Sequence, residues 1–453
     1  MMRNLLPICL IFLSVLGSPS GLPARDKGVR RQDDRGPVDR TLAEKNGIQR
    51  YDSKFLILYT DIEPEKAREL VGLVDQVYPA WESFLGKLPP ARDKSSFQIT
   101  GFLMRDPTRF QAANLLRVKS GPILHGKSEG YEFWMHDQSS DYYRAHLLLH
   151  EATHCFTMCY DVEPLSRPHW FLEGIAEYFG AHEAAESGSS SVPTLQFGVI
   201  ASSEEQSLGF GRIEMIHAEC EAGRALSAGE VQQLDIDVFA ESRTTPYAWS
   251  WAFCTFLAMH PLTADEFQKV CQQSDSARFQ RFFNTLWKKH QSAIEADWEL
   301  FRNSLCYGYD LRRGATKRIT ATPLLNMESR DIVVPAAGGW QSTGIQVTAG
   351  QRLDLKGQGR VTLAETTKPW ISEPNGISIR YADGKPIGRL LAAVERSAPA
   401  ETGPNRYWEF HEVGAEGEWK VPESGVLYLR VNDRWNELAD NSGEYHVTVT
   451  SRE

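Results

Sequence analysis

Strand-like and helix-like stretches of apolar residues alternate along the first two thirds of the chain. Phe55-Leu56-Ile57-Leu58-Tyr59 is an unbroken apolar run of strand length and predicts a buried strand. After it Leu70, Val74, Val77, Trp81 and Phe84 recur at helical spacing until Pro89-Pro90 stops the segment. Phe97 to Met104 and Gly130 to Met135 are further strand candidates, while Tyr142 to Tyr160, Trp170 to Phe179 and Tyr247 to Met259 read as apolar helices, with helical patterns continuing to about Cys306. These elements predict an α+β domain over residues 51–320. Beyond about residue 325 the texture changes to short apolar runs broken by Gly and Pro, with Trp340, Leu355, Trp408, Trp419 and Val447 spread through them. That spacing predicts an all-β sandwich over residues 328–453.

Ahead of the first strand the pattern differs. Arg3, an apolar run from Leu5 to Leu16 and small residues from Gly17 to Ser20 predict a signal peptide over residues 1–20, and with it a secreted or periplasmic protein. The run is too short to span a bilayer, and no later segment reaches the roughly 18 to 20 apolar residues of a membrane helix, so no membrane span is expected. Residues 21–50 are dense in charge, as in Arg30-Arg31-Gln32-Asp33-Asp34-Arg35, and are expected to form a flexible linker or propiece. Ser187 to Ser191 is expected to lie in a surface loop.

A formal net charge of −10 without a basic stripe argues against nucleic acid as a partner. Six cysteines follow the signal segment: Cys155, Cys159, Cys220, Cys254, Cys271 and Cys306. An exported protein permits about 15 complete disulfide pairings of these, and the sequence leaves the choice open. Cys155 and Cys159 are read as small buried residues rather than metal ligands.

The candidate chemistry is concentrated in His150-Glu151-Ala152-Thr153-His154. Residues four apart on a helix share a face, so the two imidazoles can grip one zinc ion. Glu173, separated from His154 by residues 155–172, supplies a third ligand from the next helix. Three protein ligands leave a fourth position open, as a hydrolytic zinc site requires. Glu151 stands on the neighbouring helix face, where a general base takes a proton from water. Glu177, one turn beyond Glu173, is placed to accept the spare N–H of a ligand histidine. The alternative is an amphipathic helix whose histidines are satisfied in the core.

With its third-ligand Glu173 and its eighteen-residue gap, the chain resembles the gluzincin metallopeptidases over residues 51 to 315. The phrase Trp170-Phe171-Leu172-Glu173-Gly174-Ile175-Ala176-Glu177-Tyr178 is similar to the "W-L-x-E-G-x-A-x-Y" motif of a group of bacterial exported peptidase-like proteins. The Gly-x-Met-Glu-Asn exopeptidase motif of aminopeptidases is missing. The resemblance implies a zincin-like catalytic domain in which the strand before the motif helix, Gly130 to Met135, is a sheet edge that binds extended peptide. It also implies a tyrosine on a downstream helix, with Tyr247 the candidate, that stabilises the oxyanion. The other reading of Tyr247 is a core tyrosine with a bonded hydroxyl.

Near the end of the sandwich, Asp433, Glu437, Asp440 and Asn441 crowd hard oxygen donors into one loop, as calcium prefers; the alternative is that they cap turns. Residues 330 to 450, including Gly344-Ile345 and Pro386-Ile387-Gly388-Arg389-Leu390, resemble the PA-I galactophilic lectin, in which calcium bridges protein and sugar. The resemblance implies calcium ligands at Asp433, Glu437 through its main-chain carbonyl, Asp440 and Asn441, with Leu363 as a further carbonyl ligand. The family's sugar-contacting His-Pro-Asp-Gln-Gly is here the shorter Glu373-Pro374-Asn375-Gly376. The expected function is an exported zinc metallopeptidase acting on a peptide or protein, with a calcium-dependent carbohydrate-binding domain that tethers it to a glycan or cell-surface polysaccharide. The rival expectation is a non-catalytic exported carbohydrate-binding protein whose first domain is a metal-stabilised scaffold.

Overall fold

The computed structural model describes residues 28–452, apart from 120, 161–166, 186–193, 242–243 and 402. The expected signal peptide over 1–20 and the expected loop at 187–191 lie outside the described residues. No described helix is long and apolar enough to cross a membrane.

Five strands form the first sheet, in the order Gln49–Asp52, Leu56–Thr60, Ile99–Met104, Glu132–His136, Gly126–Glu129. The three central strands run parallel, and each outer strand is antiparallel to its neighbour. Parallel strands covered on both faces need apolar residues at successive positions. Ile99–Met104 is accordingly buried at all six. One face carries the helices Leu73–Leu85 and Asp141–Tyr160, joined where Trp81 Nε1 donates to Thr153 Oγ1 at 3.1 Å and Trp81 packs 5.1 Å from the Phe156 ring.

Two expectations need correction here. The stretch over 21–50, expected as a flexible linker or propiece, carries packed elements in its last part, from residue 40 onward, so that part is no flexible linker. The short helix Arg40–Lys45 and the first strand place Ala43 and Ile48 in a cluster with Phe102, Phe110 and Trp134. The arginines that suggested solvation hold the segment down instead: Arg30 N donates to Pro90 O at 3.1 Å, Arg35 Nη1 to Thr100 Oγ1 at 2.9 Å, and Tyr131 Oη to Arg31 O at 2.6 Å. The strand Glu132–His136, in turn, is interior, because Gly126–Glu129 folds back antiparallel on it and takes the sheet edge.

From residue 322 two β-sheets face one another. One orders Asn375–Ala382, Lys385–Arg396, Gly425–Val431 and Gln341–Val347, with Trp408–Glu412 also paired to Lys385–Arg396. In the other, Ser442–Arg452 lies between Arg352–Gln358 and Ser329–Pro335. Lys385–Arg396 is buried on both faces. Leu390, Ala392 and Val394 point into the sandwich core, while Leu391 and Ala393 join Trp340, Trp408 and Tyr428 in the core of the helical part. The long helix Ser276–Ser304 seals this junction: Ala296 O accepts from Trp408 Nε1 at 2.9 Å, and Glu299 accepts the main-chain N–H groups of Arg406 and Tyr407 at 2.7 and 3.0 Å. Arg318 bonds both Asp297 and Glu395, at 2.7 and 2.9 Å. The architecture is the one the pattern predicts, an α+β part followed by a β-sandwich.

Candidate metal centre

The motif helix Asp141–Tyr160 lies between the first sheet and the helix His169–Gly180. Two features let Glu173 reach the histidines. His169–Gly180 crosses Thr245–Met259 at Gly174, where a Cβ would stand 2.5 Å from Ser250 O and 2.6 Å from Cys254 Sγ, so only glycine permits that approach. Thr153 meanwhile anchors the motif helix from behind, donating to Leu149 O while accepting from Trp81.

The result is a triangle of donor atoms. His150 Nε2 lies 3.1 Å from His154 Nε2, and Glu173 Oε2 lies 3.4 Å from His150 Nε2 and 3.3 Å from His154 Nε2. These residues could hold a metal ion. The His150 side chain is 6 % exposed, whereas those of His154 and Glu173 are 18 % and 19 % exposed, so the triangle is open on one side only. Burial alone would raise the Glu173 carboxyl, but His154 and His150 together hold it well below the usual range.

Behind the triangle is a buried charged network. Glu177 Oε1 lies 3.3 Å from His150 Nδ1, and Glu177 Oε2 lies 3.2 Å from His146 Nε2, both approaches being oblique to hydrogen-bond geometry. Arg212 donates to both oxygens of Glu177, at 2.9 and 3.0 Å. Burial opposes ionisation of Glu177, but Arg212 with His146 and His150 together hold its carboxyl well below the usual range. His146, His150 and Glu177 form a second group with metal-compatible spacing. An arginine bidentate on its only carboxylate makes that group the poorer cation site.

Glu151 faces the sheet edge. Its Oε2 accepts from Ser128 Oγ at 2.5 Å, and the same hydroxyl lies 2.9 Å from Glu151 O. Gly126 allows this contact, since a Cβ there would come within 2.2 Å of Glu151 Oε1. Burial raises the Glu151 carboxyl against the pull of His150 and His154. Tyr247, on Thr245–Met259, has its ring 6.3 Å from that of His150, and its hydroxyl makes no hydrogen bond to a described residue. Burial, then the charges of Glu173, Glu177 and Glu151, hold that hydroxyl in its protonated, donating form.

Gly126, Ser128, His146 and Arg212 were missed in the sequence. Spacing could have flagged His146, four residues before His150. The Gly130 turn, with φ +64°, could have flagged a hairpin carrying Ser128. No sequence signal points to Arg212.

In the sandwich, Asp433 and Asn441 are buried and close to one another, and Asp433 Oδ2 and Asn441 Oδ1 have no hydrogen-bond donor of good geometry among the described residues. Burial pushes the Asp433 carboxyl up to about 6. The Glu437 carboxylate is engaged by Arg380 Nη1 at 2.5 and 2.7 Å, which leaves only its main-chain carbonyl for another role. Asp440 is exposed, and Leu363 is buried with its N–H bonded to Trp370 O.

No protein-family model matches the chain, and no curated protein matches it. Among solved structures, 27 % of the chain is similar to 95 % of a chain described as "EclA N-terminal domain; PllA-like lectin", at 23 % identity and a TM-score of 0.21.

Proposed function

We propose that the chain is an exported zinc-dependent peptidase with a calcium-dependent carbohydrate-binding sandwich. The observation that carries the first half is the donor triangle beside Glu151. Bonds of about 2.0 to 2.1 Å in a tetrahedral zinc site put ligand atoms about 3.3 to 3.4 Å apart, and the three edges of 3.1, 3.3 and 3.4 Å match. Zinc held by His150, His154 and Glu173 would supply Lewis acidity, polarising a peptide carbonyl and making water a stronger acid. Glu151, fixed through Oε2 by Ser128, accepts the proton of the attacking water and returns it to the leaving amine. Tyr247 donates its hydroxyl to the developing oxyanion. The outer edge of Gly126–Glu129, to which no described strand pairs, takes the substrate as an added strand and so lays it across Glu151.

The second half rests on the two orphaned oxygens. Buried acceptors without donors are costly, and a cation relieves both at once. Calcium would be held by Asp433 Oδ2, Asn441 Oδ1, the Glu437 carbonyl and Asp440, with a glycan as the partner.

Metal analysis and peptide-library hydrolysis of purified protein test the enzyme. Glu151→Gln keeps one zinc per chain and abolishes cleavage, because an amide cannot accept the proton; His154→Ala loses the zinc. Cleavage within a few-fold of the parent in Glu151→Gln would exclude that residue as the base. Zinc without any cleavage by the parent would favour the metal-stabilised scaffold.

A further inference from the structure

A cavity of about 590 Å³ lies between the long helix and the outer face of the sandwich, and no residue of the donor triangle lines it. Volumes of this size accommodate small organic ligands. Trp340 and Phe410, with ring centroids 5.6 Å apart, form an aromatic wall, and Leu300 and Asn303 of the helix form the wall opposite.

The inner end of the cavity is chemically unusual. Arg430 lines it at 2 % exposure, with its guanidinium stacked 3.4 Å over the Trp435 ring. A guanidinium has five N–H donors, yet Arg430 makes one hydrogen bond among the described residues, from Nη2 to Asp433 O at 2.6 Å. Its Nε is buried without an acceptor, as is Nε1 of Trp435, which lines the same cavity at 5 % exposure. No described carboxylate lies within ion-pair distance of Arg430, although the charges of Asp383 and Asp433 act on it. The other lining charges are accounted for. Glu412 is paired with Arg389 at 3.0 Å, and Asp383 and Lys385 oppose one another in sign at the rim. The cavity thus holds a buried guanidinium and two orphaned N–H donors beside an aromatic wall.

We propose that this cleft binds a carboxylate carried on a six-membered ring, with the carboxylate bidentate on Arg430 and the ring against Trp340 and Phe410. A planar guanidinium fork matches a carboxylate, and an aromatic wall matches either the apolar face of a sugar ring or an aromatic ring. Two sources share this chemistry, a hexuronic acid and an aromatic acid. The site is independent of the peptidase reading.

Titration calorimetry on the full chain, after chelation and buffer exchange, tests it with D-glucuronate and phenylacetate, each beside its neutral counterpart, glucose or phenylacetamide. At least one acid binds saturably below about 10 mM, and its neutral counterpart binds at least about tenfold more weakly. Binding by glucuronate alone identifies a sugar acid as the ligand, and binding by phenylacetate alone an aromatic acid. Arg430→Gln weakens binding about tenfold or more. Because Arg430 is buried, Asn303→Trp provides the second variant: it plugs the rim from an exposed helix position and abolishes binding while leaving the thermal midpoint unchanged. Absence of saturable binding by both acids overturns the proposal, and so does binding that survives Asn303→Trp.

Discussion

Tyr247 has the one hydroxyl near the donor triangle that is both forced to stay protonated and left without a bond to a described residue. A core tyrosine would have satisfied its hydroxyl, so the geometry favours a role toward substrate. Tyr247→Phe should therefore lower turnover by about ten- to a thousandfold while leaving zinc content and the unfolding midpoint unchanged. A drop in midpoint with turnover intact would return Tyr247 to the core. At this scale the sequence was most informative where spacing alone defines geometry. His150 and His154 share a helix face wherever that helix lies, and Glu177 repeats Glu173 one turn on. Arg212 was illegible because its bidentate contact with Glu177 depends on how two helices meet, and no periodicity encodes that.

Among the elements, the crossing at Gly174 governs the site most directly. A methyl group at that position meets main-chain oxygen, which cannot rotate away. Gly174→Ala should cost about 1 to 3 kcal/mol of stability by overpacking and weaken zinc retention against a chelator, because the helix carrying Glu173 must shift. A variant with parental stability and parental zinc retention would show that the crossing is not what sets the third ligand. Elements that are long and uniformly apolar were readable, as with Ile99–Met104, whose burial on both faces leaves an unbroken run. The edge strand Gly126–Glu129 was not, because Gly126, Lys127, Ser128 and Glu129 carry no apolar pattern and its pairing comes from the turn at Gly130. The charged segment before residue 50 misled for the opposite reason: its arginines looked like solvent-facing charge, but Arg30 bonds Ser95 O and Arg35 bonds Thr100.

Across the whole molecule, Arg318 ties the two parts together through Asp297, whose carboxyl burial would raise but Arg318 and His260 lower to about 2. A depressed carboxylate stabilises the fold above its unfolded value near 3.8 and loses that contribution as pH falls toward 2. The contribution is on the order of 2 kcal/mol. Thermal midpoints should hold from pH 7 to about 5 and fall steeply below 4, and Arg318→Met should lower the midpoint at neutral pH by stranding Asp297. A midpoint at pH 3 equal to that at pH 7 would remove Asp297 from the account. The loop proposed to hold calcium belongs to the same junction: Asp310 N donates to Trp435 O at 3.0 Å, and Tyr309 stacks on Trp435 at 5.4 Å. Calcium should accordingly raise the midpoint of the whole chain, and the double variant Asp433→Ala with Asp440→Ala should abolish that rise without releasing zinc. A rise that persists in the double variant would leave those residues as turn caps.

The strand Lys385–Arg396, apolar on both faces, has a consequence for ancestry and handling alike. A sandwich cut from this chain would present Trp340, Leu391, Ala393 and Trp408 to water, a sticky plane that invites aggregation. The sandwich is thus no detachable cassette: it could not be moved intact onto another protein, and change along its outer face would first register as shortened lifetime of the entire polypeptide.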